Sequence, residues 1–264
     1  MKIGFIGCGN MAKAIIAGLI KTNTFLPEEI IASDNSEKAL SDAKNMYGIN
    51  TTVNNSELVL ESEMILLAVK PQVIASVINE ICDTVSENKI IISIVAGQSI
   101  DRIESLFGRN IKLIRTMPNT PALCGEGMTA VCANGNVTDV ELAYALKILS
   151  SYGKAEVVPE KLMDAVVAVS GSSPAYVAMF IEAMADAAVA EGMPRAQAYT
   201  FAEQAVYGTA KLLIDTKMHP GELKDMVCSP AGTTIEAVRV LEEKGMRSAV
   251  IEAMRTCANI SSKL

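Results

Sequence analysis

The stretch Lys2-Ile3-Gly4-Phe5-Ile6-Gly7-Cys8-Gly9-Asn10-Met11-Ala12 decides the fold of this chain. Lys2 to Ile6 reads as a short buried strand. Ile15-Ile16-Ala17-Gly18-Leu19-Ile20, a few residues on, reads as an apolar helical run. Between them stands the pattern G-x-G-x-x-A. Gly7 permits the tight turn, and Gly9 removes a side chain where a pyrophosphate would approach the backbone. Ala12 is small enough for close packing of helix on strand. The helix start offers unpaired N–H groups and a positive dipole end to the anion. A glycine turn alone is common. The strand before it and the helix after it make this one a predicted dinucleotide site.

Outward from that stretch, Glu29 to Ser33 reads as the second strand, ending in Ser33-Asp34-Asn35-Ser36. In a dinucleotide fold this end meets the adenine ribose. An acid there binds the 2′-OH of NAD, whereas hydroxyl and amide groups tolerate the 2′-phosphate of NADP. Asp34 has two readings, a ribose ligand or the cap of a helix over 36–47. Met64 to Val69, Ile90 to Val95 and Ile111 to Thr116 are continuous apolar runs of strand length, as in a parallel sheet buried on both faces. They end in Lys70-Pro71, Ala96-Gly97 and Met117-Pro118-Asn119-Thr120-Pro121, which places those loops at the carboxyl edge of the sheet. Strands alternate with helix-length segments, so a doubly wound α/β sheet is expected, completed by Met128 to Cys132 and Glu156 to Val158.

The composition agrees with this. The 264 residues suffice for one large domain or two ordinary ones, and half are hydrophobic. Trp is absent and Met is frequent, so the core is aliphatic. A net charge of −7 argues against nucleic acid and anionic membrane surfaces. No contiguous apolar run has the length of a membrane span, and a strand beginning at Lys2 leaves no room for a signal peptide. Six cysteines without a C-x-x-C pair read as reduced cysteines of a cytoplasmic protein. The single histidine, His219, precedes Pro220; it excludes a multi-histidine metal site and makes a poor general base. No metal is expected, and the chemistry is expected to come from a cofactor.

Near Val158-Pro159-Glu160 the strand runs stop, and 161–264 reads as helices punctuated by Gly and Pro. Ser170-Gly171-Ser172-Ser173-Pro174 reads as a helix start with Ser173 as cap. Small residues at Ala183, Ala187, Ala190, Ala202, Ala205 and Gly208 allow close helix packing. They suit either an intramolecular bundle or, the favoured reading, a dimer interface. Leu223 to Glu242 contains the turn Ser229-Pro230-Ala231-Gly232-Thr233-Thr234 between two helices. Its N–H groups at Gly232, Thr233 and Thr234 and its hydroxyls could hold a small carboxylate. From spacing alone the ordinary capped turn is the favoured reading.

That segment resembles the signature of the pyrroline-5-carboxylate reductase family, and the likeness spans the chain. Gly4 to Met11, Ala68-Val69-Lys70-Pro71, Met117 to Pro121, Ser170 to Tyr176 and His219 to Leu223 match the family in order and spacing, in register with the block from Val227 to Leu241. The resemblance implies a Rossmann-type dinucleotide-binding domain over 1–158. It implies an all-helical dimerisation and substrate domain over 159–264, active sites at the dimer interface, and dimers that can assemble into decamers. It implies that Ile6, Gly7, Cys8, Gly9, Asn10 and Met11 bind the cofactor diphosphate, with Ser33 and Asn55 near the adenosine. Ala68, Val69, Lys70 and Pro71, together with Val95, Ala96 and Gly97, flank the nicotinamide.

Ser229, Gly232, Thr233 and Thr234 would hold the substrate, with Thr234 the catalytic orienting group. Glu160 matches a position near the substrate, although an acid beside Lys161 also suits a solvated surface pair. The implied activity is reduction of (S)-1-pyrroline-5-carboxylate to L-proline by NADPH, with NADH as the other possible donor. Two departures stand out. Asp34 occupies a site where NADP-preferring members often carry neutral residues, and Ala231 stands where many members have Gly, harmless unless that residue needs positive φ. A β-hydroxyacid dehydrogenase would carry a catalytic Lys after the sheet domain, and the helix from Pro174 to Glu191 has none. A dinucleotide-binding regulatory paralogue and a reductase of a related cyclic imine are the other readings.

Overall fold

The computed structural model describes residues 2–263. Eight strands, β1 (Ile3–Ile6), β2 (Ile30–Ser33), β3 (Asn50–Thr52), β4 (Met64–Leu67), β5 (Ile90–Ser93), β6 (Lys112–Met117), β7 (Gly127–Ala133) and β8 (Gly153–Val157), form one sheet in the order β3-β2-β1-β4-β5-β6-β7-β8. All neighbours pair in parallel except β6 and β7. The link between those two is a short 3-10 turn at Thr120–Cys124, too short for the crossover that parallel pairing needs. The expected strands are present, with ends that differ by up to three residues. The edge strand β3 was not expected, because its polar Asn-Thr-Thr carries no apolar signal.

Six helices cover the sheet: α1 (Asn10–Lys21), α2 (Glu37–Tyr47), α3 (Asn55–Glu61), α4 (Ile74–Ile81), α5 (Ile100–Phe107) and α6 (Asp139–Leu149). Alternation along the strands sorts the core into two. Ile3, Phe5, Ile30, Met64, Leu66 and Ile92 pack with Ile15, Ile16 and Leu19 of α1 and Ile148 of α6. Ile6, Ile31, Ile65, Leu67 and Ile91 pack on the other face with Leu58, Ile78 and Ile103. Strands buried on both faces are what helices on both faces produce. Each such buried aliphatic side chain stabilises the fold by about 1.5–3 kcal/mol.

After β8 the chain is helical: α7 (Met163–Val166), α8 (Ser173–Ala190), α9 (Arg195–Thr216), α10 (Pro220–Val227), α11 (Thr233–Glu243) and α12 (Met246–Ser261). The chain divides into two compact units, Met1–Ser172 with Cys257–Leu264, and Ser173–Thr256. In the first, the C-terminal turns are tied to the α7 region by Ser261 Oγ donating to Asp164 Oδ1 at 2.7 Å. In the second, α8 and α9 pack together, yet α8 buries only Ala185, and α9 only Ala198 and Ala202. Met179, Phe201 and Ile251 are more than half exposed.

The segment 170–174 departs from its expected role as a fresh helix start. Val167–Gly171 is a π turn that leads into α8, with the Ser172 N–H donating to the Val167 carbonyl at 2.8 Å. Pro174 has no N–H to offer the Ser170 carbonyl four residues back. Asn119 takes that place: its Nδ2 donates to Ser170 O at 3.0 Å, and its Oδ1 accepts from the Met128 N–H at 2.8 Å. Asn119→Ala leaves two part-buried backbone groups unpaired and is expected to lower stability by about 1–3 kcal/mol in urea denaturation. A change under about 0.5 kcal/mol, the ordinary range of surface substitutions, would show that these bonds carry no weight.

One helical stretch among the described residues, Glu160–Ala190, is long and apolar enough by composition to cross a membrane, with mean hydropathy 1.3 over its best window. Interleaved Ser and Gly residues hide the stretch from a run count but leave its average apolar.

Candidate active site

Ile6, Ser33, Leu67 and Ser93 end β1, β2, β4 and β5, and they pair with one another across the sheet. The loops that follow therefore leave one edge side by side, where the strand order reverses around β1. In open α/β sheets that reversal is where ligands bind. The Gly7 N–H donates to the Ser33 carbonyl at 2.8 Å. Gly7 has φ +97°, and a Cβ there would lie 2.5 Å from the Ala68 carbonyl oxygen. Gly9 is the opposite case. Its φ of −78° suits any residue, yet nothing lies within 4 Å of where its Cβ would be. Immediately beyond it α1 starts with no side-chain cap and no acid in its first turn. Open space over uncapped N–H groups is what a diphosphate needs, so these residues fit a dinucleotide. Ile6 and Cys8 are buried side chains and have only backbone to offer. Burial pushes the Cys8 thiol up, with Lys13 opposing and Asp34 adding to the shift.

The other sequence-predicted residues of this edge fall around the same loops. Ser33 is buried and donates its hydroxyl to Asn55 Oδ1 at 2.7 Å. Asn55 Nδ2 donates in turn to Glu80 at 2.8 Å. Asp34 does not cap α2, because that role belongs to Ser36, whose Oγ accepts from the Ala39 N–H at 3.2 Å. Instead Asp34 Oδ2 accepts from the Cys8 N–H at 2.8 Å and Oδ1 from the Ser36 N–H at 2.8 Å. Ala68 and Val69 are half-buried, Lys70 is exposed, and Pro71 opens a 3-10 turn. Val95 is buried, Ala96 exposed and Gly97 half-buried.

The predicted substrate turn lies in the second unit, between α10 and α11. Gly232 precedes α11 with no side-chain cap, which leaves the first-turn N–H groups at Thr233 and Thr234 without a side-chain acceptor. The Gly232 N–H differs from the expectation: it donates to the Ser229 carbonyl at 3.1 Å and closes the turn. Gly232 instead provides room, since a Cβ there would sit 2.4 Å from Ser229 Oγ.

Ala231 has φ +56°, the positive φ that an alanine resists. The left-handed conformation costs an L-residue roughly 1–2 kcal/mol, and part of that is offset because Gly is more flexible when unfolded. Ala231→Gly is expected to raise stability by about 0.5–1 kcal/mol, read as a higher urea midpoint. An unchanged or lower midpoint would remove the strain argument.

Glu160 belongs to the first unit, and its partner is not Lys161. Its Oε1 accepts from Arg115 Nη1 at 2.7 Å and from the Ile100 N–H at 2.8 Å, so it joins β6 to the start of α5. The Cys132 thiol is pushed up to about 11, first by burial and then by Glu160, with Arg115 opposing. His219 caps α10, its Nδ1 accepting from the Gly221 N–H at 3.1 Å. Asn119 is the residue sequence reasoning passed over. It lies within Met117 to Pro121, and only the packing of the π turn reveals its task.

Over 263 residues the chain is 52% identical to the pyrroline-5-carboxylate reductase of Escherichia coli, covering 100% of this chain and 98% of that one. The chain belongs to the pyrroline-5-carboxylate reductase family. Residues 160–264 match the model of the pyrroline-5-carboxylate reductase dimerisation domain. Residues 2–97 match the model described as NADP oxidoreductase, coenzyme F420-dependent. Among solved structures, the pyrroline-5-carboxylate reductase of Coxiella burnetii is 34% identical with a TM-score of 0.93, covering 99% of this chain and 97% of its own. The pyrroline carboxylate reductase of Plasmodium falciparum, solved with NADP bound, is 32% identical with a TM-score of 0.91, covering 100% and 97%. The reductase fold of this chain is thus a parallel-dominated sheet followed by a helical dimerisation domain.

Proposed function

We propose that this protein reduces (S)-1-pyrroline-5-carboxylate to L-proline, the final step of proline biosynthesis, with NADPH or NADH as hydride donor. The observation that carries the reading is the full-length 52% identity to a reductase of that name, and the open, uncapped start of α1 at Gly9 agrees with it.

The substrate is a cyclic imine bearing a carboxylate. Reduced nicotinamide, when bound, supplies the hydride that adds to C5 of the C=N bond. The backbone from Ile6 to Met11 holds the diphosphate. Ser33 and Asn55 stand at the adenosine end, and Ala68–Pro71 with Val95–Gly97 flank the nicotinamide. Ser229 and the N–H groups of Thr233 and Thr234 anchor the substrate carboxylate. The Thr234 hydroxyl bonds the ring nitrogen and aligns C5, with Glu160 near the substrate. Holding the reacting atoms within about 3–3.5 Å in an aligned pose supplies most of the acceleration. The ring nitrogen takes its proton from water, and the iminium so formed is the better electrophile. No side chain then has to act as an acid, which suits a chain whose one histidine is a helix cap.

The proposed active form is a homodimer built through 159–264, with 1–158 as the dinucleotide-binding domain, and dimers assemble further into a decamer. A second copy covers the apolar surface of 160–190, and lipid does not, because Glu182 and Asp186 lie within α8. The protein works in the cytoplasm and binds neither nucleic acid nor metal. The test is loss of nicotinamide absorbance with pyrroline-5-carboxylate, repeated with the six-membered imine. Faster turnover of the five-membered ring supports the reading. Preferential turnover of the six-membered ring would identify a related imine reductase, and nucleotide binding without turnover would identify a regulatory paralogue.

A further inference from the structure

We propose that Asp34 selects the unphosphorylated adenine ribose, so that NADH is the favoured hydride donor; the proposal rests on the reductase reading above. Sequence alone left Asp34 as a helix cap or a ribose ligand. The cap of α2 is Ser36. Asp34 is held against the glycine loop by the Cys8 N–H on Oδ2 and braced by the Ser36 N–H on Oδ1, both at 2.8 Å. Its carboxylate thus stands at the carboxyl end of β2, beside the loop that receives the diphosphate, where the ribose of a dinucleotide must pass.

The chemistry of that group decides between the two donors. An ionised carboxylate only accepts hydrogen bonds and has about four lone-pair sites. Two are occupied by backbone N–H groups, and Asp34 is partly exposed. The 2′-OH and 3′-OH of an unphosphorylated ribose are donors that the remaining sites can accept. A 2′-phosphate is only an acceptor and brings a charge of about −1.5 to −2 to the same place.

No cation is paired with Asp34 among the described residues. Asp34 to Glu37 contains two carboxylates and no cation. Asn55, beyond Ser33, is bonded to Glu80, and Thr52 at the end of β3 to Glu57. Lys38 is the cation nearest in sequence, and Lys13 acts on the neighbouring Cys8 thiol; among the described residues neither forms a salt bridge with Asp34. Like charges a few ångströms apart at a partly exposed site weaken relative affinity by roughly 10- to 100-fold.

The test is equilibrium binding of NADH and NADPH to the full-length protein by nicotinamide fluorescence, without imine, for the wild type and Asp34→Asn. The amide oxygen retains an acceptor for a loop N–H and removes the charge. Competition by ADP and by 2′,5′-ADP against bound NADH, in the wild type alone, reads the adenosine end independently of any variant. The wild type is expected to bind NADH and ADP more tightly than their 2′-phosphorylated counterparts, and Asp34→Asn to move the NADH/NADPH ratio toward NADPH by about 10- to 100-fold. A wild type that prefers NADPH, or a shift below about three-fold in Asp34→Asn, overturns the selection and leaves the reductase reading standing. A wild type that binds neither nucleotide overturns both.

Discussion

Gly9→Val is expected to give a folded protein that no longer binds nicotinamide nucleotides. Gly9 has ordinary extended backbone, and no atom lies within 4 Å of a Cβ built on it. The free protein therefore accommodates the valine. The new side chain instead fills the space above the first N–H groups of α1, where the diphosphate is proposed to lie. A rise in Kd of at least about 100-fold for both NADH and NADPH is expected, close to 3 kcal/mol. The thermal midpoint should stay near that of the wild type.

Gly7→Val is the contrast. At φ +97°, with the Ala68 carbonyl oxygen 2.5 Å from the Cβ position, it should cost roughly 2–4 kcal/mol of stability and lower the melting temperature. Fluorescence titration and thermal melts on both variants separate the two roles. Wild-type affinity in folded Gly9→Val would remove the glycine loop as the diphosphate site.

The second large effect belongs to Thr234. Thr234→Ala is expected to lower kcat/KM by roughly 10- to 1,000-fold, the loss of one or two well-placed hydrogen bonds in the transition state. Thr234 is the second residue of α11 and half-buried, and the cap position is Gly232. Its hydroxyl is not the helix cap, so stability should change by less than about 0.5 kcal/mol. An orienting contact to the ring nitrogen acts on kcat, whereas a contact to the carboxylate acts mainly on KM. Thr234→Ala should thus depress kcat and Ser229→Ala should raise KM, while Thr234→Ser, which keeps the hydroxyl, recovers most of the rate. An unchanged kcat in Thr234→Ala would take this residue out of the chemistry.

Much of the fold was legible because the signals are local. A continuous apolar run between turn residues reads as a strand buried on both faces, as Met64 to Leu67 and Ile90 to Ser93 are. Strand, glycine turn and uncapped helix in a row read as an anion cradle. The edge strand β3 was not legible, because a three-residue polar strand has no period to detect. The antiparallel β7 required knowing that Met117 to Pro121 turns the chain back without a crossover helix. In the candidate substrate turn the hydroxyls and the helix start were visible, but the left-handed Ala231 and the internal bond of the Gly232 N–H were not. Both are set by how the turn closes rather than by which residues it contains.

By itself, the sequence determined the alternation of strand and helix, the glycine loop at Gly7–Gly9, the change to helices beyond Val158 and the family. Each of these is written in residue type and spacing along the chain. Only the tertiary structure decided what the ambiguous polar residues do. Asp34 braces Cys8, Glu160 pairs with Arg115 and Ile100, and Asn119 replaces the bond that Pro174 cannot make. A polar side chain in sequence is an unassigned donor or acceptor. Its role is settled when folding buries a backbone group or a charge that needs it, and the partners here stand 26, 45, 60 and 51 residues away.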